Sequence, residues 1–168
     1  MHWNEKVDLL QKKYSAAEFS IPGHSRKRLL RQVEQRYLQR PSDYFAINQS
    51  PAPQAFANWW PSVRADLTLP RCGPYADYLS LALRPGVAYW VVVDGAPVWL
   101  AKAQTPAIHD LLGMNQDAIF YLLPLHCDGL LGLNFCDPTG GVKAAGDPGL
   151  LQRLRDYTEA HSPDSISP

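Results

Sequence analysis

The apolar and polar positions of this chain form a pattern that repeats between residues 87 and 136. Val87–Val93 is a run of β-branched and aromatic residues, and Val98–Ala103 is a second apolar run after Asp94-Gly95. Both runs are apolar on both faces, which is typical of strands inside a sheet. Asp-Gly suits the positive φ of a tight hairpin turn. The sequence therefore predicts a β-hairpin.

The same order returns after a short predicted helix, which Thr105 caps and Gly113 ends. Ala118–Leu125 and Leu130–Phe135 are apolar, and Asp128-Gly129 between them predicts a second hairpin turn. Two adjacent hairpins most simply form an antiparallel sheet.

Three further segments have apolar residues at helical spacing. They begin near Trp3, after Ser25 as an N-cap, and after Asp147-Pro148. Their apolar positions are Trp3, Val7, Leu10 and Tyr14; Leu29, Leu30, Val33, Tyr37 and Leu38; and Leu150, Leu151, Leu154 and Tyr157.

Residues 41–86 are interrupted by prolines and are harder to interpret. Phe19–Ile21, before this stretch, is predicted to be extended. Gln54–Trp60 fits a short helix that Pro53 starts. Tyr75–Leu83 fits a helix or a strand, and its alternating leucines favour a strand.

The predicted fold is α+β. An antiparallel sheet of about four or five strands, built from two hairpins, packs with N-terminal, middle and C-terminal helices. The length of 168 residues and the hydrophobic fraction of 46% fit a single globular domain over residues 1–160. The Ser/Pro-rich residues 161–168 are predicted to be a flexible tail.

Localisation follows from what the chain contains. Its N-terminus is charged where a signal peptide is apolar, and its apolar runs fall short of the roughly 20 residues that span a bilayer. Cys72, Cys127 and Cys136 show no CxxC spacing, which fits reduced thiols. We expect a cytoplasmic protein without a membrane partner.

Charge is unevenly distributed, although the net charge is zero. Residues 1–71 carry eleven Lys/Arg against six Asp/Glu, and residues 72–168 carry five against ten. The two halves could attract each other in the fold, or form a dipolar surface that recognises a charged partner. The second predicted helix is basic and includes Arg28 and Arg31. Its outer face could be simply solvated, and we do not expect nucleic acid binding from a chain of zero net charge.

Catalytic signatures are lacking: no GxGxxG, GxxxxGK[ST], GxSxG or HExxH occurs. In His126-Cys127-Asp128, adjacent strand residues point to opposite faces, so His126 is poorly placed to activate Cys127. Asp is common in turns because its side chain hydrogen-bonds to the nearby backbone, so a turn explains Asp128 without a catalytic role. We expect no cofactor and no metal, because no Cys or His pair has zinc-ligand spacing.

The tryptophans are the remaining candidates for residues at a functional site. Trp90 and Trp99 flank the first hairpin and are predicted to be neighbours in the core. Trp59 and Trp60 are adjacent on one short helix, and one of them could lie at a surface groove or partner site.

Residues 87–136 resemble small bacterial immunity partners of polymorphic toxins. The resemblance lies in the strand bearing Trp99, the short helix ending at Leu111–Gly113, and the run FYLLPLHCDGLLGLNF over Phe120–Phe135. It implies a protein that neutralises a cognate toxin by direct contact, and no site residue carries over. The candidate contact residues from the chain itself are Trp59, Trp60, Asp94, Asp128, Arg28 and Arg31. The alternatives are a small enzyme with a site around His126, Cys127 and Asp128, and an adaptor subunit of a larger assembly.

Overall fold

The computed structural model describes residues 2–39, 59–94, 98–136 and 141–162, and every structural statement below concerns those residues. They contain five helices: α1 (Trp3–Lys13), α2 (Arg26–Tyr37), α3 (Tyr75–Ala82), α4 (Thr105–Gly113) and α5 (Pro148–His161). The strands are β1 (Phe19–Ser20), β2 (Leu67–Pro70), β3 (Ala88–Asp94), β4 (Trp99–Gln104), β5 (Ile119–Pro124), β6 (Leu130–Asn134) and β7 (Gly141–Ala145). Trp60–Ser62 forms one 3₁₀ turn.

All seven strands join one antiparallel sheet in the order β1-β4-β3-β5-β6-β7-β2. The predicted α+β class and both predicted hairpins are confirmed: β3 pairs with β4, and β5 pairs with β6. The predicted number of four or five strands is wrong. Among the missed strands, β2 ends in Pro70 at a sheet edge, where a residue without an N–H is tolerated.

The strands present an apolar surface on both sides of the sheet, as expected for strands of a sheet interior. Alternation along β3 sends Tyr89, Val91 and Val93 to one side and Val92 to the other. The first side, here the four-helix face, packs against α1, α3, α4 and α5. The second side, here the α2 face, packs against α2 and the segment Trp59–Val63. The sheet therefore separates two hydrophobic cores.

Tyr75–Leu83 is not the predicted strand: its first eight residues form helix α3. Tyr75, Tyr78 and Leu79 are buried at spacings of three and four, so one helical stripe faces the core. The alternating leucines do not mark a strand: Leu79 belongs to this stripe, Leu81 is half-buried and Leu83 follows the helix.

Trp90 and Trp99 are not core neighbours. Val93 pairs with Trp99 and Trp90 pairs with Lys102, an offset of three residues from the register that would pair the two tryptophans. An odd offset moves a side chain to the opposite face. Trp99 accordingly stacks on Trp3 of α1 with ring centroids 4.8 Å apart.

Helix starts follow the predictions in part. Asp147 caps α5, because its Oδ1 accepts the backbone N–H of Gly149 at 2.9 Å and that of Leu150 at 3.3 Å. Ser25 precedes α2, but its hydroxyl makes no cap hydrogen bond. Thr105 does not cap α4: Gln104 holds that position, and the Thr105 hydroxyl donates to the Arg84 carbonyl. The extended piece at Phe19–Ser20 is confirmed as β1.

Several predictions fall partly outside the described residues. They are the helix over 54–58, the turn glycine at 95 and the tail from 163 onwards. Of that tail, His161 still belongs to α5. None of the described helices is both long enough and apolar enough to cross a membrane.

Candidate functional site

Asp94 ends β3 on the α2 face and is buried, with 8% of its surface exposed. Its Oδ2 accepts the backbone N–H of Trp59 at 2.8 Å and the hydroxyl of Tyr121 at 3.2 Å. Its Oδ1 is buried without a hydrogen-bond partner among the described residues. Burial raises the pKa of Asp94 to about 7, although both hydrogen bonds oppose that rise. Asp94 thus anchors the Trp59 backbone to the sheet.

Trp59 and Trp60 lie beside this carboxyl group. Trp59 is 2% exposed, and its ring lies 5.6 Å from the ring of Tyr121. Trp60 is half-buried over Gly132, where an added Cβ would lie 3.1 Å from the indole. The Lys143 ammonium donates to the Trp60 carbonyl at 2.6 Å and lies 5.0 Å from its ring. The structure therefore brings Trp59, Trp60 and Asp94 together as packing on the α2 face.

Tyr121 and Lys143 complete this cluster, and the sequence did not single them out. Burial raises the pKa of Tyr121 well above its ordinary value, and burial lowers the pKa of Lys143. Tyr121 lies within the apolar strand β5, and a tyrosine fits the hydrophobic pattern of a strand, so the sequence gives no sign of a polar role for its hydroxyl group. Lys143 lies in β7, one of the strands that the sequence pattern did not predict. No local signal would have linked either residue to Asp94.

Arg28 and Arg31 lie on the outward side of α2, away from this cluster. With Lys27 they form a surface that we name the α2 basic face, and all three are exposed. Glu34, which is the only acidic residue in α2, is 0% exposed. Within the described residues, Lys27 and Arg28 have no carboxylate partner, and the one ion pair joins Lys13 to Asp110. Lys27 and Arg28 therefore present positive charge to solvent along this helix.

Arg26 differs from the other cations of α2. Its guanidinium donates to the Val98 carbonyl and lies 5.4 Å from the ring of Trp99. It is half-buried and covers the start of β4. We assign Arg26 a structural role and exclude it from the α2 basic face.

The connection between β5 and β6 lies near the C-terminal end of α2. The positive φ of this connection is at Cys127 (φ 54°), which is a correction to the turn predicted at Asp128-Gly129. The connection is longer than a two-residue hairpin turn, and the Cys127 N–H donates to the Pro124 carbonyl at 2.8 Å. The Tyr37 hydroxyl donates to the Cys127 carbonyl at 2.7 Å and ties the connection to α2. The Asp128 side chain is exposed.

A groove lies between α2 and this connection, with a volume of about 490 Å³. We name it the α2 groove. Its lining residues are Gln32, Gln35 and Arg36 of α2 with Leu125, His126 and Cys127 of the connection.

The geometry does not favour an enzyme centred on His126, Cys127 and Asp128. Cys127 is 7% exposed, and burial raises the pKa of its thiol, which opposes the thiolate that a nucleophile needs. His126 and Asp128 are exposed. In the described part of the chain, no group of three or more His, Cys, Asp or Glu side chains is arranged to hold a metal ion.

Comparisons with family models, with curated proteins and with solved structures gave no match. The toxin-neutralising function that the resemblance implies therefore stays a prediction, as does the cytoplasmic location.

Proposed function

We propose that this chain is a binding protein of the immunity type, which neutralises a toxin by direct contact and presents the α2 basic face to it. The observation that supports this proposal is the one-sided charge of α2. Lys27, Arg28 and Arg31 are exposed, while Glu34 is buried. An exposed basic surface of this kind selects a partner by charge complementarity.

The partner surface in this proposal is acidic protein. Complementary charge accelerates encounter and penalises wrong partners, which suits an inhibitor that must find one protein among many. The zero net charge of the whole chain is against general attraction to nucleic acid. We name a toxin as the partner because residues 87–136 resemble immunity proteins.

The test compares two double variants with the same change of charge. Arg28→Glu/Arg31→Glu alters the α2 basic face. Lys12→Glu/Arg155→Glu alters exposed cations of α1 and α5, which are two of the helices on the four-helix face. Each tagged protein is used to capture partners from the native host. The captured partner is then purified, and its binding to each variant is measured by calorimetric titration. In a growth assay, the partner is expressed alone and together with each variant.

We expect a stoichiometric partner whose expression stops growth unless the wild-type chain is present. The α2 variant should bind it at least about tenfold more weakly, or ~1.4 kcal/mol, and rescue growth poorly, while the control behaves as wild type. A partner that binds both variants equally would contradict the assigned surface. A partner that is harmless when expressed alone would contradict neutralisation and favour an adaptor role.

A further inference from the structure

We infer that the α2 groove receives an acidic peptide segment of the partner, one that carries an aliphatic side chain between carboxylates. This inference rests on the proposed function, because it names the chemistry of the partner segment that lies next to the α2 basic face. The groove opens on the flank of α2 that carries Gln32 and Arg36, four residues apart on the helix.

The groove wall opposite α2 is held in place by its own hydrogen bonds. The Cys127 carbonyl accepts the Tyr37 hydroxyl, and the Cys127 N–H donates to Pro124. The indole N–H of Trp90 donates to the Leu125 carbonyl at 3.2 Å. A wall fixed at both Leu125 and Cys127 loses little conformational freedom when a ligand binds.

The lining chemistry suits carboxylates next to an apolar group. Arg36 supplies a permanent charge with a planar fork of donors, and His126 adds a ring N–H donor. Within the described residues neither side chain has a carboxylate partner. Gln32 and Gln35 contribute amides that can donate to the same oxygens. None of the six lining residues is acidic.

Leu125 provides the apolar part of the groove. Its side chain is 38% exposed, one of only three large hydrophobic residues in the described ranges that are this accessible. A leucine or similar side chain on the partner would cover it and remove apolar surface from water. An isolated phosphate would leave Leu125 uncovered, so the observations favour a peptide.

The test uses the full-length ¹⁵N-labelled chain and amide chemical shifts. The probe is the blocked peptide acetyl-Asp-Leu-Glu-Asp-amide, and its matched control is acetyl-Asn-Leu-Gln-Asn-amide. We expect saturable shifts at the lining residues with a Kd on the order of 1 mM, and at least about fivefold weaker binding by the neutral peptide. Arg36→Gln and Leu125→Ser should each weaken binding of the acidic peptide to a similar degree, and each spectrum reports directly whether the variant is folded.

Three results would overturn the inference: equal binding of the two peptides, acidic-peptide binding unaltered in both variants, or saturation of the same residues by inorganic phosphate at lower concentration than by the peptide. Failure here and failure of the proposed function are distinguishable. Loss of partner binding in Arg28→Glu/Arg31→Glu without peptide binding in the groove would refute only the groove. Peptide binding in the groove with no toxic partner in the host would refute only the function.

Discussion

The buried carboxyl group of Asp94 makes the stability of this protein depend on pH, and Asp94→Asn should remove that dependence. Asn keeps an oxygen that can accept the Trp59 N–H, and it stays neutral at every pH. The substitution therefore changes the ionisation of the site while preserving its shape. From pH 4 to about pH 7 we expect the variant to gain stability relative to the wild type, and the gain should level off by pH 8.

The magnitude follows from the two pKa values of Asp94. Burial raises the folded value to about 7, whereas an aspartate in an unfolded chain titrates near 3.9. Between these values the folded protein holds a proton that the unfolded chain has released, so the stability falls as the pH rises from about 4 to about 7. A difference of about 3 between the pKa values corresponds to ~4 kcal/mol as an order of magnitude.

Urea unfolding at half-unit pH intervals, followed by tryptophan fluorescence, measures this effect. Asp128→Asn is the matched control, because it makes the same chemical change at an exposed position. The quantity of interest is the free energy of unfolding of Asp94→Asn minus that of wild type. The reasoning is refuted if that difference stays constant from pH 4 to pH 8, or if Asp128→Asn reproduces it.

Three further predictions concern Gly146, the Tyr37 hydroxyl group and the cysteine thiols. Gly146→Ala should destabilise by roughly 1–3 kcal/mol or more, because φ is +90° there and a Cβ would lie 2.3 Å from the Asp128 carbonyl oxygen; Gly23→Ala, with no atom within 4 Å of its Cβ, should change the thermal midpoint little. Tyr37→Phe should cost about 1 kcal/mol in urea unfolding through loss of its buried hydrogen bond to the Cys127 carbonyl, and an unchanged midpoint would contradict that bond. With a disulfide reagent at pH 8, exposed Cys136 should be labelled in the native state and buried Cys127 only after unfolding. Fast native labelling of a Cys72→Ser/Cys136→Ser variant, in which Cys127 is the remaining thiol, would reopen the possibility of a reactive Cys127.

Local patterns in the sequence determined the elements of the central unit. The β-branched run of β3 and its neighbour β4 form strands because each buries apolar side chains on both faces, and a pattern within one strand already contains that information. The cap of α5 was equally local, since Asp147 precedes a proline and donors two and three residues away. Asp before Pro favours a helix start through contacts within one turn of the chain.

Tertiary structure decided the features that join distant segments. β2 and β7 are strands because each finds a partner edge, and Gly141–Ala145 has too little β propensity to reveal this alone. The faces of Trp90 and Trp99 depend on a three-residue offset that hydrophobicity does not specify, since both faces of that hairpin are apolar. Asp94 was selected as a candidate surface residue and is buried, because Trp59, thirty-five positions earlier, packs over it. Charge on α2 could be read from composition, but only the fold shows that Glu34 points inward and Arg28 and Arg31 point outward, because burial is a property of what packs against a helix.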